Sequence, residues 1–248
     1  MQEQSVGQWY SERSGWQRTQ GTKLLEMAAP APGERALDIG CGTGELTELI
    51  AEAVGSTGQV TGVDLDGERL RVARQRSRHE NLLYRQEDGE SACRRSADAW
   101  DLVFANYMIH CMPNKREFLA EVHRALRPGG RCALATIESL PSLLHAFCQL
   151  AGAAGGRLLE RLYFVPLEET VRDLRETGFE VRAAVKSAET KQFRSVEEAL
   201  EFWEATTAGV VSKNSIPAAA MASLQAEPAH RQAMIVEQVV RVVAVKPA

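Results

Sequence analysis

Ala36-Leu-Asp-Ile-Gly-Cys-Gly-Thr-Gly-Glu-Leu46 decides the fold. Residues 35–39 (Arg-Ala-Leu-Asp-Ile) are a short apolar run that predicts a strand. Gly40, Gly42 and Gly44 follow at alternate positions. Over roughly 45–54, Leu46, Leu49, Ile50 and Ala53 recur at helical spacing, so one face of a helix packs on a sheet. A strand that turns through glycines into a helix offers free N–H groups and the positive end of a helix dipole to a ligand. Glycine belongs there because a side chain would hold that ligand off the backbone.

The spacing selects the ligand. A dinucleotide fingerprint reads GxGxxG, and its last glycine lets helix and strand pack closely. Here the pattern is GxGxG, and Glu45 stands where the dinucleotide motif has glycine. Asp38 precedes the first glycine by two residues. A carboxylate there repels a pyrophosphate and attracts an α-amino group, which points to a ligand with an amino-acid end.

Two further acidic positions extend the site. Residues 59–63 predict a second strand ending at Asp64, whose carboxylate can accept both hydroxyls of a ribose. Leu65 can pack on a purine face. Residues 82–86 predict a third strand, followed by Asp88, which can accept from an adenine amine, and Gly89, whose N–H can reach the ring. Three strand ends thus present amino-acid, ribose and adenine subsites on the carboxyl edge, where open α/β sheets bind ligands.

Farther out, strand-like and helix-like segments alternate, as in a parallel sheet covered on both faces. An N-terminal helix is predicted over 9–29, a fourth strand over 100–105, a helix over 115–126 stopped by Pro128-Gly129-Gly130, and a fifth strand over 131–136. Residues 140–165 are apolar and helical, with Ala-Gly-Ala-Ala-Gly-Gly at 151–156 as a candidate hinge. A helix over 167–177, strands over 179–185 and 236–245, and a capping box at Ser195-Val-Glu-Glu complete the pattern. The expected division of a one-domain chain of 248 residues is a helical cap over 1–29, a cofactor core over 30–139, a helical lid over 140–178, and C-terminal strands and helix over 179–248.

The composition, 44% hydrophobic and 25% charged, suits a folded chain, and the net charge of −4 with no basic block argues against a nucleic-acid or membrane partner. No basic-then-apolar leader opens the sequence, and no run of about 18 apolar residues predicts a membrane span. The five cysteines (Cys41, Cys93, Cys111, Cys132 and Cys148) are scattered, without a CxxC pair. That predicts neither a metal site nor a disulfide framework, and suits a reducing, cytoplasmic setting.

These residues resemble the class I S-adenosylmethionine-dependent methyltransferases. Leu37-Asp-Ile-Gly-Cys-Gly-Thr-Gly is similar to that family's first motif, Gly62-Val-Asp64 to its ribose motif, and Glu87-Asp-Gly89 to its adenine motif. Ala105-Asn-Tyr-Met-Ile-His110 and Leu126-Arg-Pro-Gly-Gly resemble the segments after its fourth and before its fifth strand. The resemblance implies a Rossmann-like doubly wound α/β fold, with a seven-stranded sheet in the order 3-2-1-4-5-7-6 and the last strand antiparallel. It implies S-adenosyl-L-methionine as cofactor and S-adenosyl-L-homocysteine as product. Asp38, Gly40, Cys41, Gly42 and Gly44 would hold the methionine end, Asp64 and Leu65 the nucleoside, Asp88 and Gly89 the adenine, and Asn106 the floor near the methyl.

Within the family, Tyr10, Trp16-Gln17 and Ile109-His-Cys-Met-Pro look most like the small-molecule carboxyl methyltransferases of trans-aconitate and juvenile hormone acid, although Cys111 stands where those often carry Trp. Enzymes of quinones, sterols and lipids share most of the same motifs. A carboxylate acceptor needs no general base; a phenol or amine does, and His110 and Tyr107 are the candidates. Tyr10, Gln17, Phe147 and Tyr163 are candidate substrate contacts. Three other readings are weaker. A nucleic-acid methyltransferase would carry prolines after Asn106, a nicotinamide dehydrogenase would have different glycine spacing, and a non-catalytic cofactor-binding module would show the same motifs. The oligomeric state is open.

Overall fold

The structure is a computed structural model, and it describes residue 11, residues 14–228 and residues 230–248. Seven strands form one sheet: β1 (Arg35–Ile39), β2 (Gln59–Asp64), β3 (Leu82–Gln86), β4 (Trp100–Asn106), β5 (Leu126–Ile137), β6 (Glu180–Gln192) and β7 (Met234–Val245). The spatial order is β3-β2-β1-β4-β5-β7-β6, as the resemblance implies. The first five are parallel, and β7 runs antiparallel between β5 and β6.

Register brings the predicted strand ends level. Ile39 pairs with Val63 and Ala105, and Asp64 pairs with Gln86. The glycine turn, Asp64, Asp88 and Asn106 therefore leave the sheet side by side.

Alternation of side chains along β1 divides the core. Leu37 and Ile39 face a cluster with Phe118, Leu119 and Val122 of α5 (Lys115–Ala125), Cys93 of α4 (Gly89–Arg94) and Leu174 of α8 (Leu167–Glu176). Ala36, with Leu102 and Phe104 of β4, faces Leu24 and Ala28 of α1 (Gly15–Ala28) and Ile50 and Val54 of α2 (Glu45–Val54). Phe104 and Phe118 are fully buried, and truncating either to alanine would cost about 3–5 kcal/mol. A third cluster joins α6 (Ser142–Leu150), α9 (Val196–Thr206) and α10 (Ala218–Ala226) to Ile235 of β7.

Several boundaries differ from the sequence reading. The helix before β5 stops at Ala125, where Leu126 turns extended (ψ 139), so Pro128-Gly129-Gly130 lies inside the strand, beside a break in register. The glycines at 152, 155 and 156 lie within a helix, α7 (Gly152–Leu159), not in a hinge. Gly155 sits against the Cys148 backbone, where a Cβ has no room, so α7 packs tightly on α6. Ser195 caps α9 through Glu198 N, but Glu198 reaches back to Arg194 N at 2.6 Å, one residue before a capping box would place it. The helices α4 and α10 were not predicted; α10 is alanine-rich and has no apolar stripe to reveal it. Among the described residues, no helix is long and apolar enough to cross a membrane.

Candidate active site

A cavity of about 270 Å³ opens where α1 crosses the carboxyl edge of the sheet. Its wall contains Asp38, Gly40, Cys41, Gly42, Asp64, Leu65, Asp88, Gly89 and Asn106, nine residues that the sequence assigned to the cofactor. The tenth, Gly44, does not line it. Gly44 takes φ +83 as the N-cap of α2, and a Cβ there would strike the Tyr84 hydroxyl. Its role is to start the helix close against β3.

Gly40 and Gly42 also have positive φ, +73 and +56, a region that costs other residues energy. Gly40 N and Cys41 N donate to the Val63 carbonyl at 2.8 and 3.0 Å, folding the loop over β2. Asp64 clamps that fold: Oδ2 accepts from Gly42 N at 2.8 Å and Oδ1 from Asp66 N at 2.9 Å. Each carboxylate oxygen has a further lone pair for a hydroxyl. The helix-capping role falls to Asp66, which opens α3 (Gly67–Arg76) by accepting from Glu68 N and Arg69 N.

Asp38 is 2% exposed and accepts from the Thr47 hydroxyl at 2.7 Å. Desolvation pushes its pKa up to about 7, with the Thr47 bond opposing and the nearby Asp64 charge adding to the rise. A cation placed beside it would restore the charged form. Asp88 caps α4, accepting from Ser91 N and Oγ, both at 3.0 Å. Gly89 packs against Ile39 with no room for a Cβ. Leu65 is 70% exposed, an apolar surface that a flat base would cover. Asn106 Nδ2 donates to the Gln17 carbonyl at 3.1 Å. Asn106 Oδ1 and Gln17 Oε1 are buried without a hydrogen-bond partner among the described residues, and both residues line the cavity. This set suits a ligand with a cationic amino-acid end, a diol and a purine.

A second chamber of about 190 Å³ adjoins the first. Gln17, Arg69, Tyr107 and Cys111 line both. Leu144, Leu158, Leu162 and Phe164, from the stretch predicted as a lid, form apolar wall together with Phe202 and Trp203 of α9. Tyr107 holds φ +56 at the end of β4, where its hydroxyl donates to Glu237 at 2.5 Å. Burial and the neighbouring Glu237 charge push the Tyr107 hydroxyl well above its ordinary value. His110 contacts Thr136 Oγ1 at 3.1 Å and stacks on Phe164. Burial, with a smaller push from Lys115, holds its pKa down at about 4, so its ring is neutral.

Two substrate candidates are corrected. Phe147 is fully buried in the cluster with Phe202 and Trp203 and touches neither chamber, because it lies on the core face of α6. Tyr163 is 38% exposed beneath Lys115 and lines neither chamber. In the irregular stretch after α7 its neighbours Leu162 and Phe164 take the chamber side. Tyr10 lies outside the described residues. Of the lid predicted over 140–178, α8 belongs to the sheet's own core instead. Sequence reading missed Arg69 and Glu237; an arginine in an arginine-rich helix and a glutamate in a valine-rich strand carry no local signal of what they face.

Residues 30–197 match the methyltransferase domain family. The methyltransferase GfsG of Streptomyces halstedii is 33% identical over 171 residues, covering 62% of this chain and 58% of that protein. The ubiquinone biosynthesis O-methyltransferase of Aeromonas salmonicida is 35% identical over 111 residues, covering 44% of this chain and 45% of that protein. The chain spans about half the length of these curated relatives. The YcgJ protein of Bacillus subtilis superposes with a TM-score of 0.63 at 18% identity, over 93% of this chain and 99% of that one, which shows a shared fold. The family match runs from before β1 into α9, across the outer cavity's lining from Asp38 to Met112 but not its α1 side, and the chain belongs to the class I S-adenosylmethionine-dependent methyltransferase family.

Proposed function

We propose that the protein transfers a methyl group from S-adenosylmethionine, held in the outer cavity, to a small molecule with an apolar body in the inner chamber. The observation that carries this reading is the junction of the two chambers at Gln17, Arg69, Tyr107 and Cys111. Asp38 and the Gly40–Gly42 loop would hold the methionine end, Asp64 the ribose, and Leu65, Asp88 and Gly89 the adenine. When bound, the cofactor supplies an activated methyl group and a neutral leaving group. The chain's work is to align the acceptor and exclude water, which can lower a barrier by about 7–11 kcal/mol. The Leu144, Leu158, Leu162 and Phe164 wall supports the exclusion, and Gln17 Oε1 offers the acceptor a hydrogen bond at the junction.

Two acceptor chemistries suit this chamber. A carboxylic acid needs no base, and Arg69, which binds the Thr206 carbonyl at 3.2 Å and Asp66 at 3.3 Å, brings a cation to the junction. A hydroxyl needs a base. Purified protein with methyl-labelled cofactor and a panel of carboxylic acids, phenols and amines tests the reading. Label should appear in one acceptor class, with equal S-adenosylhomocysteine. Cofactor binding with no transfer to any acceptor would instead support a non-catalytic module.

A further inference from the structure

The inner chamber contains a buried carboxylate that the methyltransferase motifs do not account for. Glu237 on β7 is 3% exposed and lines the chamber. Its Oε2 accepts from Tyr107 Oη at 2.5 Å and Trp16 Nε1 at 2.8 Å, both neutral donors. Across the ladder, register sets Glu189 of β6 directly opposite. The cations on this face are engaged there: Lys23 binds Glu189 at 2.8 Å, and Arg241 binds it at 3.3 Å along with Gln20 and Ser187. Lys191 of β6 lies over the rings of Trp16, Phe193 and Phe202, at 5.7, 5.2 and 5.3 Å. A carboxylate held by neutral donors in an apolar chamber is costly to keep charged, and such groups concentrate where their protonation is used.

Tyr107 links this carboxylate to the reaction space. It lines both chambers and keeps a left-handed backbone, φ +56, that a non-glycine residue rarely holds without a reason. Resting on the two-chamber reading above, we propose that Glu237, with Tyr107 as its hydrogen-bonded relay, is the proton acceptor for an uncharged phenol- or enol-type hydroxyl methylated in the inner chamber. As the acceptor oxygen bonds to the methyl carbon and the carbon–sulfur bond breaks, the hydroxyl proton passes to Tyr107 Oη and the Tyr107 proton to Glu237. The positive charge on sulfur and the negative charge on Glu237 vanish in the same step.

Chemistry separates Glu237 from the other candidate base. His110 shares the chamber, but burial holds its pKa at about 4, which makes its ring a weak proton acceptor. Desolvation raises the Glu237 carboxyl above its ordinary 4.5, with Glu189 adding to the rise and Tyr107, Trp16 and Lys191 opposing it, so it is the stronger base. Arg69 from α3 and Arg241 from β7 are the other charged groups near this pair. The same charge disfavours a carboxylate acceptor, which would meet Glu237 with like charge. A neutral amine attacks through a free lone pair and sheds its proton after transfer, whereas a hydroxyl oxygen gains the needed nucleophilicity only as a base draws off its proton.

The test compares wild type with Glu237→Gln and Tyr107→Phe, using simple phenols and cyclic enols against benzoic and phenylacetic acids. Wild type should give methyl ethers from the hydroxyl compounds. Glu237→Gln should lose about 100-fold or more in kcat. Its KM for S-adenosylmethionine and its calorimetric affinity for S-adenosylhomocysteine should be unchanged, and the acid limb of the kcat profile should disappear. Tyr107→Phe should also lose kcat with cofactor affinity intact. Independently of turnover, infrared difference spectra of wild type against Glu237→Gln should show a carboxyl titrating above 4.5. Wild-type kcat in Glu237→Gln, methylation of the acids alone, methylation of no panel compound, or a carboxyl titrating at or below 4.5 would each overturn the proposal. S-adenosylhomocysteine binding in the same samples keeps the cofactor reading standing in each case, and its loss from wild type would strike that reading instead.

Discussion

Asn106, at the carboxyl end of β4, donates its amide to the backbone carbonyl of Gln17 in α1 at 3.1 Å. The bond fastens the helix over the outer cavity to the strand that floors it. Close approach makes it possible: Gly21 of α1 packs against Leu46, and a Cβ there would come within 2.9 Å of Asn106 Nδ2. Asn106→Ala should therefore weaken S-adenosylhomocysteine binding by about tenfold, roughly one good hydrogen bond together with the looser helix. Calorimetry checks this, and an unchanged affinity would show that α1 is positioned by other contacts.

Asp38 predicts a pH dependence. Its carboxyl titrates at about 7 when folded, against an ordinary 3.8. The folded state therefore binds this proton more tightly. Its contribution to stability is full below about 3.8 and is lost as pH rises through about 7. The Tm of wild type relative to Asp38→Asn should fall across that window in ligand-free protein. Affinity for S-adenosylhomocysteine, whose ammonium favours the charged carboxylate, should rise over the same range in wild type and not in the variant. A flat difference in Tm would place the Asp38 pKa near its ordinary value.

Gly44→Ala tests the geometry of the loop. The position has φ +83 and no space for a Cβ beside Tyr84. The left-handed conformation alone costs about 1–2 kcal/mol in a non-glycine residue. At about 2–4 °C per kcal/mol for a chain of this size, Tm should drop by several degrees. A variant as stable as wild type would contradict the tight start of α2.

Much of the cofactor cavity was legible because its parts are local. A strand, three alternating glycines and a helix sit within Ala36–Leu46, and Asp64 and Asp88 each follow a recognisable strand. The inner chamber was not. Glu237 stands among valines, where a glutamate reads equally well as solvent-facing; only the placement of β7 between β5 and β6, beneath α1, buries it. Phe147 shows the opposite failure. Its apolar stripe was visible, but periodicity does not say whether a stripe meets a ligand or another helix, and here it meets α9. Tyr163 was misplaced for want of a regular period across 160–166.

Cys111 reports on the junction. It is exposed and lines both chambers, whereas Cys93, Cys132 and Cys148 are buried. Although solvent reaches the residue, the protein packed around its sulfur desolvates the thiol and raises its pKa against the opposing Lys115 and Arg69 charges. Alkylation by iodoacetamide should therefore be slow at neutral pH and quicken in alkali. Saturating S-adenosylhomocysteine should protect it, as peptide mass spectrometry would show. Equal labelling with and without that ligand would separate Cys111 from the cofactor path.

Calorimetric titration of S-adenosylhomocysteine into wild type and Asp64→Ala tests the central claim most directly. Asp64 holds the Gly42 N–H at 2.8 Å and faces the cavity, so its loss should remove the proposed ribose acceptor and slacken the glycine loop together. Wild type should bind one equivalent, and the variant should bind at least about tenfold more weakly. No binding by wild type, or equal binding by both proteins, would contradict the account.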